Sequence, residues 1–463
     1  RGVGAASGLR EVGDLIAGAA YSRHGRPPRY RLAIALAGVL VILLFLSSFV
    51  TSLVLGTIPG RVALFGLPAI ALVGLATWIG VRAFDRDPAE RRRHLLRAGI
   101  VLGIALLLWL LVVDLFLFTG AEPLVALISA LACLPTTAFG IWVVRRLDRN
   151  EKEPWRLVMV AVAWGAVVAT ALVIWANTSL GEVASNTLVP GPGLDAFTAY
   201  GAGFFEEIAK GLAVLLLYLV MRDEFDDVVD GIVYGACVGL GFNFMESILY
   251  MTHIYALFAG EGFGAEAAGF QWYFRQVVGL FFGHATYTAL VGAGIGVARQ
   301  LPRLGQRVLA IAGGWLIAIS AHFAWDAWLQ FFPVGDGAFA LIGVHLRTIL
   351  MDGPFTAVVL LLLAMGLQVE GAALRRQLQL EAGTGSGAIA PAEVGVLVSP
   401  WRRWQARMQV LTLNGLSAYR RLARLQQAQL NLAMERWHRE RQELEGPLEA
   451  EERLRRQVLA LKS

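Results

Sequence analysis

Charged residues are scarce in this sequence. They make up 16% of its 463 residues, against about 25% in an ordinary soluble domain, which argues against a chain folded around one water-surrounded core. Cysteine is scarcer still. Cys133 and Cys237 are the only two, both inside apolar runs; they exclude a disulfide framework, lack the spacing of a zinc knuckle, and are expected to pack in the interior. Basic tracts of the nucleic-acid-binding kind are missing. The net charge of +5 comes from Arg and Lys beside apolar runs, where membrane orientation accounts for them, so no nucleic-acid partner is expected. Apolar–polar alternation is absent from those runs, which excludes a membrane β-barrel. The first apolar run is not followed by a small-residue cleavage pattern, so no cleavable signal peptide is expected.

What the sequence has is hydrophobic length. It is 57% hydrophobic, with mean hydropathy +0.60, and its apolar residues fall in runs long enough to cross a bilayer as helices. The pattern predicts an all-α, polytopic transmembrane bundle of ten spans near 33–55, 62–81, 98–118, 123–144, 157–177, 201–221, 230–254, 275–298, 308–330 and 348–368. Lys and Arg concentrate in every second connection, at 1–32, 82–97, 145–156 and 299–307. The opposite connections are almost bare, with Arg61, Arg275 and Arg347 as exceptions. This asymmetry predicts an inner-membrane protein with both termini in the cytoplasm. The connection Arg222–Asp230 is acidic and off-pattern.

The organisation expected is a cytoplasmic segment (1–32), accessory spans (33–147), a core (148–330), a final span (331–370), a linker (371–400) and an amphipathic helical tail (401–463). The tail carries Leu411, Leu422, Leu425 and Leu432 at roughly helical spacing and is expected to break near Gly446–Pro447. It reads equally as a solvated extension or as an element for docking or oligomerisation.

Ionisable residues within spans are costly and usually functional. Here they cluster. The sixth span holds Glu206, Glu207 and Lys210, the seventh Asn243 and Glu246, the eighth His284 and Thr288, and the ninth His322 and Asp326. Asp114 in the third span stands alone and is expected to be structural. The four helices alternate in direction, yet their polar residues fall at a similar depth. Glu206 and Glu207 lie about 8–9 Å below the outer surface at 1.5 Å per residue. One site in the outer half accounts for this; unrelated structural residues would not share a level. Glu206 and Lys210, at i and i+4, are expected to pair. Glu207, offset by about 100°, is expected to face another neighbour, so that one carboxylate could act as base and the other as acid. Asp326 is expected to hold the His322 imidazole by a hydrogen bond. Gly231, Gly235 and Gly239 form a GxxxGxxxG row expected to let helices approach closely.

At these residues the sequence resembles the PrsW family of intramembrane proteases, relatives of CAAX-prenyl endopeptidases and bacteriocin-processing enzymes. The resemblance rests on EExxK at Glu206–Lys210, FxxxE at Phe242–Glu246, the helix beginning FFGHATYT that carries His284, and HxxWD at His322–Asp326. The charged DRNEKEPW, Asp148–Trp155, is similar to a segment that often precedes this core. The family often places Asn after the FxxxE glutamate; here that position is Ser247, and Asn243 one turn earlier could substitute. The resemblance implies cleavage of a membrane-anchored protein, such as an anti-sigma factor, near the outer face. Two chemistries fit. Glu246, His284 and His322 could bind Zn2+ with one position open, or Glu206 or Glu207 could activate water without metal while the histidines stabilise the oxyanion; the second is the preferred one. The alternatives are a proton-coupled transporter and an inactive scaffold. The first is opposed by polar residues that stop at one depth and by the absence of paired broken helices. The second is opposed by the presence of both glutamates and both histidines.

Overall fold

The computed structural model describes residues 60–84, 123–187, 191–221, 224–331, 338–440 and 449–462, with scattered positions between 34 and 105. These residues form helices and, among those described, no strand. The chain is an all-α membrane bundle. Helix α1 spans Gly60–Ala83, α2 Pro123–Leu147, α3 Trp155–Ala163 and α4 Thr170–Thr187, the last two joined by a π-helical stretch, Trp164–Ala169. Then come α5 (Pro192–Val220), α6 (Val228–Phe258), α7 (Gly264–Tyr273), α8 (His284–Gln300) and α9 (Leu304–Phe331). The C-terminal part comprises α10 (Ala338–Met351), α11 (Gly353–Gly383), α12 (Pro391–Leu397), α13 (Pro400–Glu440) and α14 (Glu449–Lys462).

Five described segments are long and apolar enough to cross a membrane: Leu124–Leu147, Trp155–Ile174, Val228–Glu261, Leu304–Asp326 and Gly353–Gly383. Helix α5 is continuous but carries Glu206, Glu207 and Lys210 within its apolar run, and α8 has only 17 residues. The spans expected at 33–55 and 98–118 fall mostly outside the described residues, as do Asp114 and the tail break at Gly446–Pro447.

Helix α6 is the axis of the bundle. The most apolar stretch of its segment is 83% buried, against 22–50% in the other four. Its glycines make that position reachable. A β-carbon on Gly231, Gly235 or Gly239 would lie 2.1, 2.3 or 2.2 Å from the carbonyl oxygens of Gly292, Thr288 and His284 on α8. Only glycine allows the two backbones to meet so closely, and the row therefore fixes α8, with its histidine, against α6. The acidic connection also acquires a purpose. Asp227 caps α6 by accepting from the N–H groups of Val229 and Asp230, while Asp230 accepts from those of Asp226 and Asp227. That capping box starts the central helix, so these carboxylates serve the helix end and carry no orientation signal.

Two expectations need correction. The eighth span does not begin at Arg275. Residues 264–283 form α7, a π turn at Phe274–Val278 and a bend closed by Gly283 at φ +85°, and α8 starts at His284. Apolar composition over 275–298 concealed a break that depends on glycine geometry. The stretch 371–400 is likewise not an extended linker. Helix α11 runs unbroken to Gly383, and Leu374, Leu378, Ile389 and Leu397 form a core with Leu430, Met434 and Trp437 of α13. Helix α14 packs Val458 on Leu432 and Ala428 of α13. Helix α13 itself folds back at Gly415, φ +76°.

Candidate active site

The polar residues of α5, α6, α8 and α9 meet around one cavity of about 690 Å3. Glu206, Asn243, Glu246, Arg275, His284, His322 and Asp326 all line it. Glu207 and Lys210 lie behind that wall, both inaccessible to solvent. The single site expected from depth is thus assembled, with a front layer and a back layer.

The back layer is an ion-pair network. Lys210 Nζ lies 2.6 Å from Glu207 Oε1 and 3.3 Å from Glu206 Oε2. It also stands 3.0 Å from His284 Nδ1 and 4.3 Å above the ring of Phe242. Expected to serve Glu206 alone, Lys210 serves Glu207 more closely. Glu207 also accepts from the Thr288 hydroxyl at 3.2 Å, and its backbone carbonyl accepts from Trp315 Nε1 at 2.8 Å. A buried carboxylate must be surrounded in this way to remain charged in a dry interior.

The front layer is set by two carboxylate–imidazole contacts. His322 Nδ1 lies 3.0 Å from Glu207 Oε1. His284 Nε2 lies 2.6 Å from Glu246 Oε2. In a neutral imidazole the nitrogen facing a carboxylate carries the proton, which leaves a lone pair on the other. Those lone-pair nitrogens, His322 Nε2 and His284 Nδ1, are 3.6 and 3.7 Å from Glu206 Oε2. Asp326 is 3.6 Å from His322 Nε2, beyond hydrogen-bond range. The ring is therefore oriented by Glu207 and not, as expected, by Asp326, because the i,i+4 spacing brings Asp326 alongside the ring's free edge.

The same distances test the site for a metal. Ligand atoms of Glu206, Glu207, His284 and His322 all lie within 4.8 Å of one another. A tetrahedral centre with bonds of about 2.1 Å has ligands about 3.4 Å apart, close to the separations at Glu206 Oε2, and two imidazoles with a carboxylate suit zinc. The donor types fit zinc, with one change from the set expected, and Lys210 Nζ, 3.0 Å from His284 Nδ1 and 3.3 Å from Glu206 Oε2, would have to give way to the ion. Glu206 stands beside the two histidines, while Glu246 is engaged with His284 Nε2 and, at 2.8 Å, with Arg275 Nη1.

Arg275 is a site residue that sequence reasoning missed. Its one signal was that it broke the charge asymmetry of the connections. The π turn presents it to Glu246, its carbonyl accepts from Asn243 Nδ2 at 3.2 Å, and its guanidinium lies over Tyr250. Asn243 therefore supports Arg275 and does not touch Glu246. Ser247 donates to the Asn243 carbonyl at 2.6 Å and accepts from Gln276 Nε2 at 2.9 Å, so it anchors the same turn. Tyr287 and Asp352 were missed as well. The Tyr287 hydroxyl donates to Asp352, and its ring packs 5.0 Å from that of His322.

Comparison with known proteins places these residues in context. Residues 153–362 match the model of a family described as PrsW family intramembrane metalloprotease. Over 104 residues the chain is 33% identical to Protease PrsW of Geobacillus kaustophilus, covering 22% of this chain and 43% of that protein. Over 50 residues it is 46% identical to Protease PrsW of Bacillus subtilis, covering 11% of this chain and 22% of that protein. The chain thus spans less than half the length of these curated relatives. No solved structure matches it. Every residue of the site described above lies within 153–362.

Proposed function

We propose, from the premise that residues 153–362 belong to the PrsW family of intramembrane metalloproteases, that this chain is an endopeptidase that hydrolyses a peptide bond within the membrane. Its substrate is a membrane-anchored protein, with an anti-sigma factor as the example the family suggests. The charge asymmetry supports an inner-membrane location, with both termini in the cytoplasm and cleavage near the outer face. The observation that carries the reading is the convergence of His284 Nδ1 and His322 Nε2 on Glu206 Oε2 at the cavity wall.

In this mechanism Glu206 is the base. Its Oε2 accepts a proton from the attacking water as oxygen bonds to the scissile carbonyl carbon. The same carboxyl then returns that proton to the departing amine nitrogen as the C–N bond breaks. Glu207 and Glu246 hold the imidazoles in the tautomers that face the cavity, while Lys210 from behind and Arg275 at the cavity wall neutralise those carboxylates. In the alternative chemistry His284, His322 and Glu206 would hold a zinc ion, which would supply Lewis-acid activation of the carbonyl, and Glu206 as its ligand would then not be the base.

The test is co-expression with candidate single-span proteins. The intact chain should cleave one of them, and Glu206→Gln, which keeps shape and loses the base, should not. Normal cleavage by Glu206→Gln would remove the reading. Activity lost to a chelator and restored by added zinc supports the metal chemistry; full activity in protein shown to be metal-free rejects it.

A further inference from the structure

At the other end of the bundle a groove of about 760 Å3 runs between the end of α11, α12 and the first turn of α13. Arg375 and Arg402 line it, and among the described residues no carboxylate does. Most of the remaining lining is apolar, including Ala382, Val394 and Val398. Neighbouring arginines are spoken for: Arg376 lies 2.6 Å from Glu440, and Arg436 and Arg455 lie 2.6 and 2.7 Å from Glu381. Arg375 and Arg402 are exposed, and among the described residues neither has an ion-pair partner. A site with two unpaired guanidinium groups, an apolar wall and no negative charge suits an anion that carries a hydrophobic part.

Its position says where such an anion comes from. Arg375 lies on a helix apolar enough to span a membrane, eight residues past Leu367, or about 12 Å of helix rise. A long arginine side chain can lean part of the way back toward the headgroup layer. Beside Arg402, Trp401 and Trp404 stack at 4.7 Å while 62% and 49% exposed. Between them the buried Arg403 donates to the Arg149 carbonyl at 2.9 Å. That contact ties the pair to the segment where Arg145 covers the exposed Trp155 and Arg146 the exposed Trp142. Exposed tryptophans interleaved with arginines at span ends are the composition of a membrane interface. A free phosphate ion would leave the apolar wall and the tryptophans without a role.

We propose that this groove binds the headgroup of an anionic phospholipid of the phosphatidylglycerol class. Arg375 and Arg402 hold the phosphate, and Trp401 and Trp404 rest at the boundary between headgroup and acyl chain. The C-terminal helices are thereby fastened to the adjoining leaflet.

The experiment is thermal unfolding of the full chain in neutral detergent, titrated with dioctanoyl phosphatidylglycerol, dioctanoyl phosphatidylcholine or inorganic phosphate. Phosphatidylglycerol should raise the melting temperature saturably, with little effect from the other two. R375Q/R402Q should melt normally without lipid and need about 10- to 30-fold more phosphatidylglycerol, given the attraction typical of each basic residue at a membrane. W401S/W404S should also bind more weakly, and R376Q should bind as the parent does. An unchanged midpoint in R375Q/R402Q, or equal stabilisation by phosphatidylcholine, would overturn the site. Saturation by inorganic phosphate at the same concentration would overturn the lipid as its occupant. None of these readings depends on cleavage.

Discussion

Lys210 and Glu207 form an ion pair of 2.6 Å in which neither side chain reaches solvent. Such a pair is not a free gain in stability, but removing one member strands the other in the interior. Lys210→Met should therefore lower the unfolding free energy by about 3–5 kcal/mol, the usual cost of an orphaned buried charge. Thermal unfolding in detergent measures it. A Lys210→Met variant as stable as the parent would mean that Glu207 is not held charged by Lys210.

Glu206 and Glu207 are adjacent in sequence but differ in place, one at the cavity wall and one behind it. Their glutamine variants should differ accordingly. Glu206→Gln loses the group that moves the proton, a loss of about 10²- to 10⁴-fold in turnover. Glu207→Gln keeps a partner for His322 but weakens its orientation, a loss of about 10- to 100-fold. Cleavage rates of the two variants on one substrate decide it, and a larger loss for Glu207→Gln would reverse the assignment.

Arg275 holds Glu246, which in turn orients His284. Arg275→Gln should thus act at one remove from the chemistry, lowering turnover by about 10- to 100-fold, the range typical of groups that orient a site residue. Cleavage kinetics should show the loss mainly in kcat, with KM little changed. A pure rise in KM would show instead that Arg275 meets the substrate.

The membrane architecture and the meeting of four helices were legible in the sequence. Run length reports span-forming helices, and intramembrane charge reports a shared site through its depth. Which carboxylate faced which imidazole was not legible. Lys210 stands at i+4 from Glu206 and at i+3 from Glu207, both neighbouring positions on a helix, so spacing alone did not decide between them, and Glu207 holds the ammonium more closely. The same spacing paired Asp326 with His322 although the hydrogen bond went to a residue 115 positions away. Arg275 stayed hidden because the eighth span was read as continuous, and the π turn and Gly283 bend that present it leave no periodic trace. Gly and Ser at 383–387 point to a linker, whereas the few leucines that pin 371–397 to α13 carry little periodic signal.

The last prediction concerns pH and the charged segment Asp148–Trp155, outside the expected spans. Glu153 there is 3% exposed, and its carboxylate accepts from the Tyr234 hydroxyl. Burial is the largest influence on it, reinforced by repulsion from Glu151 and Asp226, and its pKa is pushed up from 4.5 to about 8. The folded state therefore holds this proton more tightly than the unfolded chain does. Stability from Glu153 is full below pH 4.5, the unfolded value, and is lost as pH rises through about 8. Below that range the segment stays docked against α6; above it a buried charge favours release. Endoproteinase Lys-C should therefore cut after Lys152 faster at pH 9 than at pH 7, once corrected for the enzyme's own pH dependence on an unfolded peptide. Glu153→Gln, neutral throughout, should flatten that difference. Should Glu153→Gln show the same acceleration as the parent, the release belongs to another group and Glu153 does not govern it.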